Sequence, residues 1–321
     1  MLKRNARRII ATVACLLSLT GLAACDPTDE LTSLVLPESA GVLSAAAVAP
    51  AKSIKRGLAY GHHSAADMNV LSPGMSWWYN WSPKPETAVA AIYKSKNVSF
   101  VPMSWNGATT ADQLAAAIPD GAQYLLGPNE PNFKSQANMT PVQTAAFWPV
   151  LENVAHRKNL KIGAPALNFC GDCVVVNGQP IASDPIVYMD AFMAACQGCQ
   201  IDFIPVHWYS CWVGALEWYV GKFKKYNKPI WVTEFACGDY NGNPITLQVQ
   251  KDYMSAAIDY LEHEPAVARY SWFSGRNNEI PFINLLGADG QLTALGQLYV
   301  TLPFAAAPKR VPFNPWQLLL Q

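Results

Sequence analysis

Pro229-Ile230-Trp231-Val232-Thr233-Glu234-Phe235 is a run of β-branched and aromatic residues that closes on a carboxylate. A run of this length and composition reads as a buried strand, with the acid delivered to one edge of a sheet. Similar runs recur outward from it, at Gly57–Tyr60, Ser76–Trp81, Val98–Trp105, Gln123–Asn129, Lys161–Leu167, Ile201–Tyr209 and Val267–Phe273, making eight. The stretches between several of them carry helical signals. Thr140-Pro141-Val142-Gln143 joins a capping box to a Pro at the first helical position and predicts a helix from Thr140 to Arg157. Asp184-Pro185 through Ala195 and Thr246 to His263 read likewise. Eight strand–helix units over about 250 residues are the arithmetic of an α/β fold of the (β/α)8 TIM-barrel type in a single domain. A doubly wound sheet would need a Gly-rich first turn, and the sequence has none.

The two ends of the chain read differently. Residues 1–25 have a basic start at Lys3-Arg4 and Arg7-Arg8, an apolar run from Ile9 to Leu22, and small residues before Cys25. That is the layout of a signal peptide, and the apolar run is short of the ~20 residues that span a bilayer. Leu22-Ala23-Ala24-Cys25 resembles the bacterial lipobox, which implies a lipoprotein-type leader, cleavage before Cys25 and lipidation of that residue. The alternative is an ordinary secretory peptide cut near Ala23. Export is therefore expected, as a membrane-anchored lipoprotein at the cell surface or in the periplasm, or as a secreted protein. Residues 26–52, rich in Ala, Ser, Pro and Leu without a sustained period, read as a flexible tether. The domain then occupies 53–302, and 303–321, with Pro303, Pro308, Pro312 and Pro315, is expected to pack on it as a tail.

Composition excludes several classes. At 51% hydrophobic and 14% charged, 321 residues can bury a sizeable core, so neither a disordered chain nor a coiled coil fits. Lys and Arg balance Asp and Glu at 23 each, and loss of the leader's four cations leaves 19 against 23. Such a surface gives a phosphate backbone no reason to bind, so nucleic acid is not an expected partner. The 11 Trp and 13 Tyr exceed what a core needs and suit surfaces that stack on the flat apolar faces of sugar rings. No cofactor is expected, and a monomer is.

In a barrel of this kind the chemistry sits where the strands end. The endings are His62-His63, Trp78 with Trp81, Ser104-Trp105, Asn129-Glu130, Asn168, His207 with Tyr209, Glu234, and Trp272-Phe273. A lone Glu is ordinarily a solvated surface group. Here Glu130 and Glu234 each close an apolar strand without a neighbouring Lys or Arg, on strands that end across one mouth. A protonated carboxyl beside an ionised one is what glycoside cleavage by double displacement requires: one protonates the leaving oxygen while the other attacks the anomeric carbon. His62-His63 is a weak metal pair because no third ligand follows at helical spacing, and it reads as polar lining with no metal expected.

Asn129-Glu130-Pro131 and Thr233-Glu234-Phe235 resemble the clan A retaining glycoside hydrolases. Together with Ser76-Trp77-Trp78-Tyr79-Asn80-Trp81, Val101-Pro102-Met103-Ser104-Trp105 and Val206-His207-Trp208-Tyr209, they resemble glycoside hydrolase family 128, mainly β-1,3-glucanases, over about residues 56 to 275. The resemblance implies a single catalytic domain acting on β-glucan, with Glu130 as acid/base and Glu234 as nucleophile. It further implies that Asn129 bonds the sugar 2-hydroxyl and that His207 and Tyr209 orient Glu234. Pro128 and Asn132 depart from the commoner motif. The alternatives are a non-catalytic β-glucan-binding or adhesion protein on the same scaffold, or a clan A enzyme for another β-glycan.

Among the aromatics, Trp78, Trp81, Trp105, Trp208, Trp212 and Trp272 lie at or just beyond strand ends, and Trp78, Trp81, Trp105 and Trp272 are expected to line the substrate mouth. Beyond the leader six cysteines remain: Cys170, Cys173, Cys196, Cys199, Cys211 and Cys237. The two CxxC pairs superficially match a zinc ribbon, but an exported chain favours disulfides. Cys211 and Cys237 follow neighbouring strands and are expected to pair with each other.

Overall fold

The structure, a computed structural model, describes residues 52–305. The predicted leader, its Cys25 lipidation site, all but the last residue of the tether and the tail beyond 305 lie outside the described residues.

The first half of the described chain runs β1 (Arg56–Ala59), α1 (Ala65–Leu71), β2 (Trp77–Tyr79), α2 (Thr87–Ala90), β3 (Ser99–Phe100), α3 (Ala111–Ala117), β4 (Tyr124–Leu125), α4 (Pro141–Lys158) and β5 (Lys161–Ile162). The second half runs β6 (Val175–Val176), β7 (Gln179–Pro180), α5 (Pro185–Ala195), β8 (Ile204–Ser210), α6 (Val213–Phe223), β9 (Ile230–Asp239), α7 (Leu247–His263), β10 (Val267–Phe273) and α8 (Ala294–Thr301). Every run read as a strand contains one. Six form a parallel sheet in the order β3-β2-β1-β10-β9-β8, and β4 pairs with β5, also in parallel. Single parallel bridges, Met103 to Leu126 and Gly163 to Phe203, link β3's continuation to β4's and β5's to β8. β3, β4 and β5 are shorter than predicted because Pro102, Pro128 and Pro165 interrupt their runs, and proline has no N–H to donate to a ladder.

The three helices read from the sequence are present within a residue of their expected limits. At α4 the Thr140 side chain accepts from Gln143 N–H, and Gln143 Oε1 accepts from Thr140 N–H at 2.8 Å, which satisfies two of the orphan donors of the first turn. The exposed hairpin β6–β7 was not expected. Its turn is Asn177-Gly178, both at positive φ (53° and 76°), the geometry that lets two strands reverse tightly.

Two layers of apolar side chains result. Ala59, Trp77, Tyr79, Met103, Leu126, Phe203 and Trp231 pack together on the inner face of the strands. Leu58, Trp78, Leu125, Val206, Val232, Tyr270 and Trp272 pack outward against the helices. Neighbouring residues divide between the layers because successive side chains of a strand point to opposite faces. Arg269 lies among the inner rings, its guanidinium 4.6 Å from the centroids of both Tyr124 and Trp231. β1 and β10 meet along a seam where buried Arg56 donates to Tyr270 Oη (2.9 Å) and to the carbonyls of Tyr299 (2.7 Å) and Leu302 (3.0 Å).

All six cysteines pair: Cys170 with Cys173, Cys196 with Cys199 and Cys211 with Cys237. The last ties the outer ends of β8 and β9, as expected, and closes enough chain to contribute roughly 2–4 kcal/mol.

Candidate active site

Glu234, midway along β9, is buried to 5% exposure, and three side chains converge on its carboxylate. Tyr79 Oη donates to Oε1 at 2.7 Å and Trp81 Nε1 to the same oxygen at 2.8 Å, while Tyr209 Oη donates to Oε2. Tyr79 belongs to β2 and Tyr209 to β8, so strands on either side of β9's neighbourhood contribute. Trp81 reaches in from a loop where its own backbone is left-handed, φ 56°. A non-glycine residue held there costs free energy, and the surroundings must fix it. Glu86 does so: its carboxylate lies 2.9 Å from His63 Nδ1 and accepts from Trp78 Nε1 (3.1 Å) and Asn80 Nδ2 (3.2 Å), pinning the residues that flank Trp81.

Glu130 follows β4 and is also left-handed, φ 40°, immediately before Pro131. Its N–H donates to Ala166 O and its C=O accepts from Phe133 N–H, both at 2.9 Å, which holds the turn. The side chain meets His207, whose Nδ1 is 2.8 Å from Glu130 Oε1 and 3.4 Å from Glu234 Oε2. Burial pulls the His207 imidazole pKa down, but the charge of Glu234 and the bond and charge of Glu130 outweigh it, leaving the pKa above its ordinary 6.5. Burial, and then the charge of Glu234, pushes the phenols of Tyr79 and Tyr209 well above their usual range, so both stay protonated donors.

One ligand-type atom each from Glu130, His207 and Glu234 lie within 4.8 Å of one another, a spacing a cation could use. The oxygens of Glu234 already accept from Tyr79, Trp81 and Tyr209, however. A carboxylate whose oxygens already accept from O–H and N–H donors has little lone-pair capacity left for a metal.

The two carboxyls open on a cleft of about 450 Å³. Of the residues expected there, Trp81, Trp105, Asn129, Glu130, Tyr209 and Glu234 line it, and buried His207 lies beneath between the two acids. Asn129 Nδ2 donates to Gln136 Oε1 (3.2 Å), while its buried Oδ1 has no partner among the described residues and is free to accept from a ligand hydroxyl. Two expected residues are not in the cleft. Trp78 is fully buried on the outer face, its ring against Tyr93 and Phe100, and Trp272 is fully buried there against Phe235, with Nε1 donating to Ile283 O. The inward positions are one residue away in each strand, at Tyr79 and Phe273. Trp208 also packs inside the protein, on Tyr219, and His63 is a buried partner of Glu86 rather than lining. Both residues expected beside Glu234 touch it, Tyr209 through a hydrogen bond and His207 at 3.4 Å, although His207 lies closer to Glu130.

Phe273, one of the strand endings, completes the lining together with Gln136, Glu279 and Ile280, which were not foreseen. Glu279 and Ile280 sit in the loop after β10, which Arg276 anchors by donating from Nη1 and Nη2 to the two oxygens of Asp67, 2.8 Å each. No local pattern marks these positions.

Known proteins match this arrangement. The glycosyl hydrolase catalytic core family matches residues 57–299. An endo-β-1,3-glucanase of glycoside hydrolase family 128, subgroup II, from Sorangium cellulosum is 43% identical, with 78% of this chain and 100% of that one covered and a TM-score of 0.71. A subgroup I endo-β-1,3-glucanase from Amycolatopsis mediterranei, solved with laminaritriose, is 29% identical, with 77% and 98% covered and a TM-score of 0.62. Alkali-sensitive linkage protein 1 of Schizosaccharomyces pombe is 28% identical over 259 residues, which are 77% of this chain and 44% of that protein, so the chain spans less than half of that relative's length. The family match over most of the described residues and the glucanase neighbours establish that the chain belongs to the glycosyl hydrolase catalytic core family, within glycoside hydrolase family 128, and is a glycoside hydrolase.

Proposed function

We propose that the protein hydrolyses β-1,3-glucan with retention of configuration, with Glu234 as nucleophile and Glu130 as acid/base. The observation that carries this reading is the unequal setting of two carboxyls whose oxygens lie within 4.8 Å of each other. Retaining glycosidases separate their carboxyls by about 5–5.5 Å, leaving no room for the extra water an inverting enzyme needs. Three donors hold the Glu234 carboxyl in place at the cleft. In the first step Glu234 attacks the anomeric carbon as the glycosidic C–O bond breaks, and Glu130 gives its proton to the departing oxygen. Glu130, now ionised, then takes a proton from water as that water attacks the same carbon and releases Glu234. His207 suits both states of Glu130: Nδ1–H donates to the carboxylate, and the other tautomer accepts from the carboxylic acid. Asn129 Oδ1, buried without a partner among the described residues, is the candidate acceptor for the sugar 2-hydroxyl. Glucan linkage is proposed from the neighbours, one of them solved with laminaritriose.

The same proposal reads the eight site-bearing strands as a (β/α)8 barrel, supported by the sheet order and the parallel bridges that join β3 to β4 and β5 to β8. It includes export and anchoring through Cys25, with residues 26–52 as tether and a monomeric domain over 53–302; mass spectrometry of the mature N-terminus tests the anchor.

Proton NMR of laminarin hydrolysis tests the chemistry. The β-anomer is expected first, and first appearance of the α-anomer would mean inversion.

A further inference from the structure

β9 does not stop at the reacting group. It continues from Glu234 to Asp239, with β8 paired to it as far as Ser210 opposite Asp239. At the usual strand rise this ladder projects about 15 Å beyond the carboxylate. Its end is fixed twice, by Cys211 N–H donating to Asp239 O (3.0 Å) and by the Cys211–Cys237 disulfide. Immediately past the ladder stand Trp212, 48% exposed, and Tyr240, their ring centroids 5.3 Å apart and tilted by 45°. The ribbon below them is the cleft wall: a Cβ at Gly238 would meet Ile280 Cδ1 at 3.0 Å and Tyr209 Cβ at 3.5 Å, and both of those residues line the cleft.

We propose that Trp212 and Tyr240 form an outer platform that stacks on a glucosyl ring of the β-glucan chain, several sugars away from the bond that is cut. The proposal rests on the reading of the cleft as a β-1,3-glucan site. Its occupant follows from continuity, since a chain leaving the cleft along Tyr209 and Ile280 runs up the ribbon to this pair. The other strongly exposed tryptophan among the described residues, Trp218 at 53%, is a poor platform by comparison. Lys222 Nζ sits 4.4 Å over its ring, and Phe169 stacks beside it at 9° and 6.4 Å, so it already has partners. Among the described residues Trp212 is paired only through the tilted Tyr240, and an aromatic left so exposed on a rigid, disulfide-braced ribbon is available to a sugar face.

The test compares Trp212→Ala with Trp218→Ala on a long laminarin chain and on a short aryl β-laminaribioside that ends before the platform. For Trp212→Ala, KM on laminarin is expected to rise about 3–10-fold with kcat retained, corresponding to one aromatic contact, while the short substrate turns over as in wild type. Trp218→Ala is expected to change neither. In the Glu234→Gln background, fluorescence titration with laminarihexaose should show the same loss of affinity on adding Trp212→Ala. Unchanged KM on laminarin, an equal effect on the short substrate, or an equal effect of Trp218→Ala overturns the platform. A wild-type enzyme that leaves laminarin intact refutes the functional reading itself, which is a different result from laminarin turnover that ignores Trp212.

Discussion

Two carboxylates, half-buried Glu86 and buried Glu234, are served alternately by one stretch of four residues. Trp78 and Asn80 donate to Glu86, while Tyr79 and Trp81 donate to Glu234. Each acid has a further partner, His63 for Glu86 and Tyr209 for Glu234. The ring types and the number of donors are nearly the same. What differs is the surroundings: Glu234 opens on a cleft beside a second carboxyl, whereas half-buried Glu86 lies outside that cleft among the groups that anchor the loop. A nest of donors therefore makes a carboxylate stable, and only the open face makes it reactive.

Substituting the two acids sharpens this contrast most. Glu234→Gln is expected to abolish turnover on every substrate, beyond the ~10²–10⁴-fold loss expected for Glu130→Gln, whose acid duty an activated leaving group bypasses. Glu86→Gln should keep most of kcat and instead lower stability by about 1–3 kcal/mol, because buried donors lose an ionised acceptor. Steady-state kinetics and denaturant melts separate the two, and equal kinetic losses at both positions would break the comparison.

A smaller effect is expected from the donors themselves. Tyr79→Phe removes one bond to Glu234 and should lower kcat about 10–100-fold, the worth of a hydrogen bond to a charged group. Trp78→Phe removes a bond to Glu86 and some outer packing, and should shift the melting temperature while leaving kcat nearly unchanged. Kinetics and thermal melts on the two variants decide it, and the reverse pattern would exchange the faces of β2.

The smallest effect is in pH. Burial alone would raise the Glu86 pKa, but the bond and charge of His63 and the indole of Trp78 lower it below its ordinary 4.5. A depressed folded-state pKa contributes stability above the unfolded value and loses it as pH falls through the folded one. The stability gap between wild type and Glu86→Gln should thus be full above pH 4.5 and shrink at lower pH, as denaturant titrations at several pH values would reveal.

The same alternation explains what the sequence discloses. Glu130, His207, Tyr209 and Glu234 stand out because each is a polar or ionisable group at the end of an apolar run. In β2 and β10 both faces carry aromatics, Trp77, Trp78 and Tyr79 in one and Tyr270, Trp272 and Phe273 in the other. Residue type there says nothing about which face is inward, and a choice one residue off sends a ring to the opposite side. Trp78 and Trp272 are such choices. Gln136, Glu279 and Ile280 reach the cleft from loops, and long-range contacts, Arg276 with Asp67 and Gln250 with the Pro281 carbonyl, fix the loop that carries the last two. The fold was easier to read, since eight runs and three well-capped helices are local features.

The seam between β1 and β10 has a consequence for how the chain is made. Arg56 and Tyr270, partners across it, are 214 residues apart in sequence. At about 5–20 residues per second of synthesis, β1 waits roughly 10–40 s for its neighbour to be translated. Throughout that interval its backbone on that side has nothing to pair with, and its apolar residues have only part of their cover. A nascent chain of this design is kept open by its own topology until β10 is translated, so whatever escorts it must hold it from the first of these strands to that one.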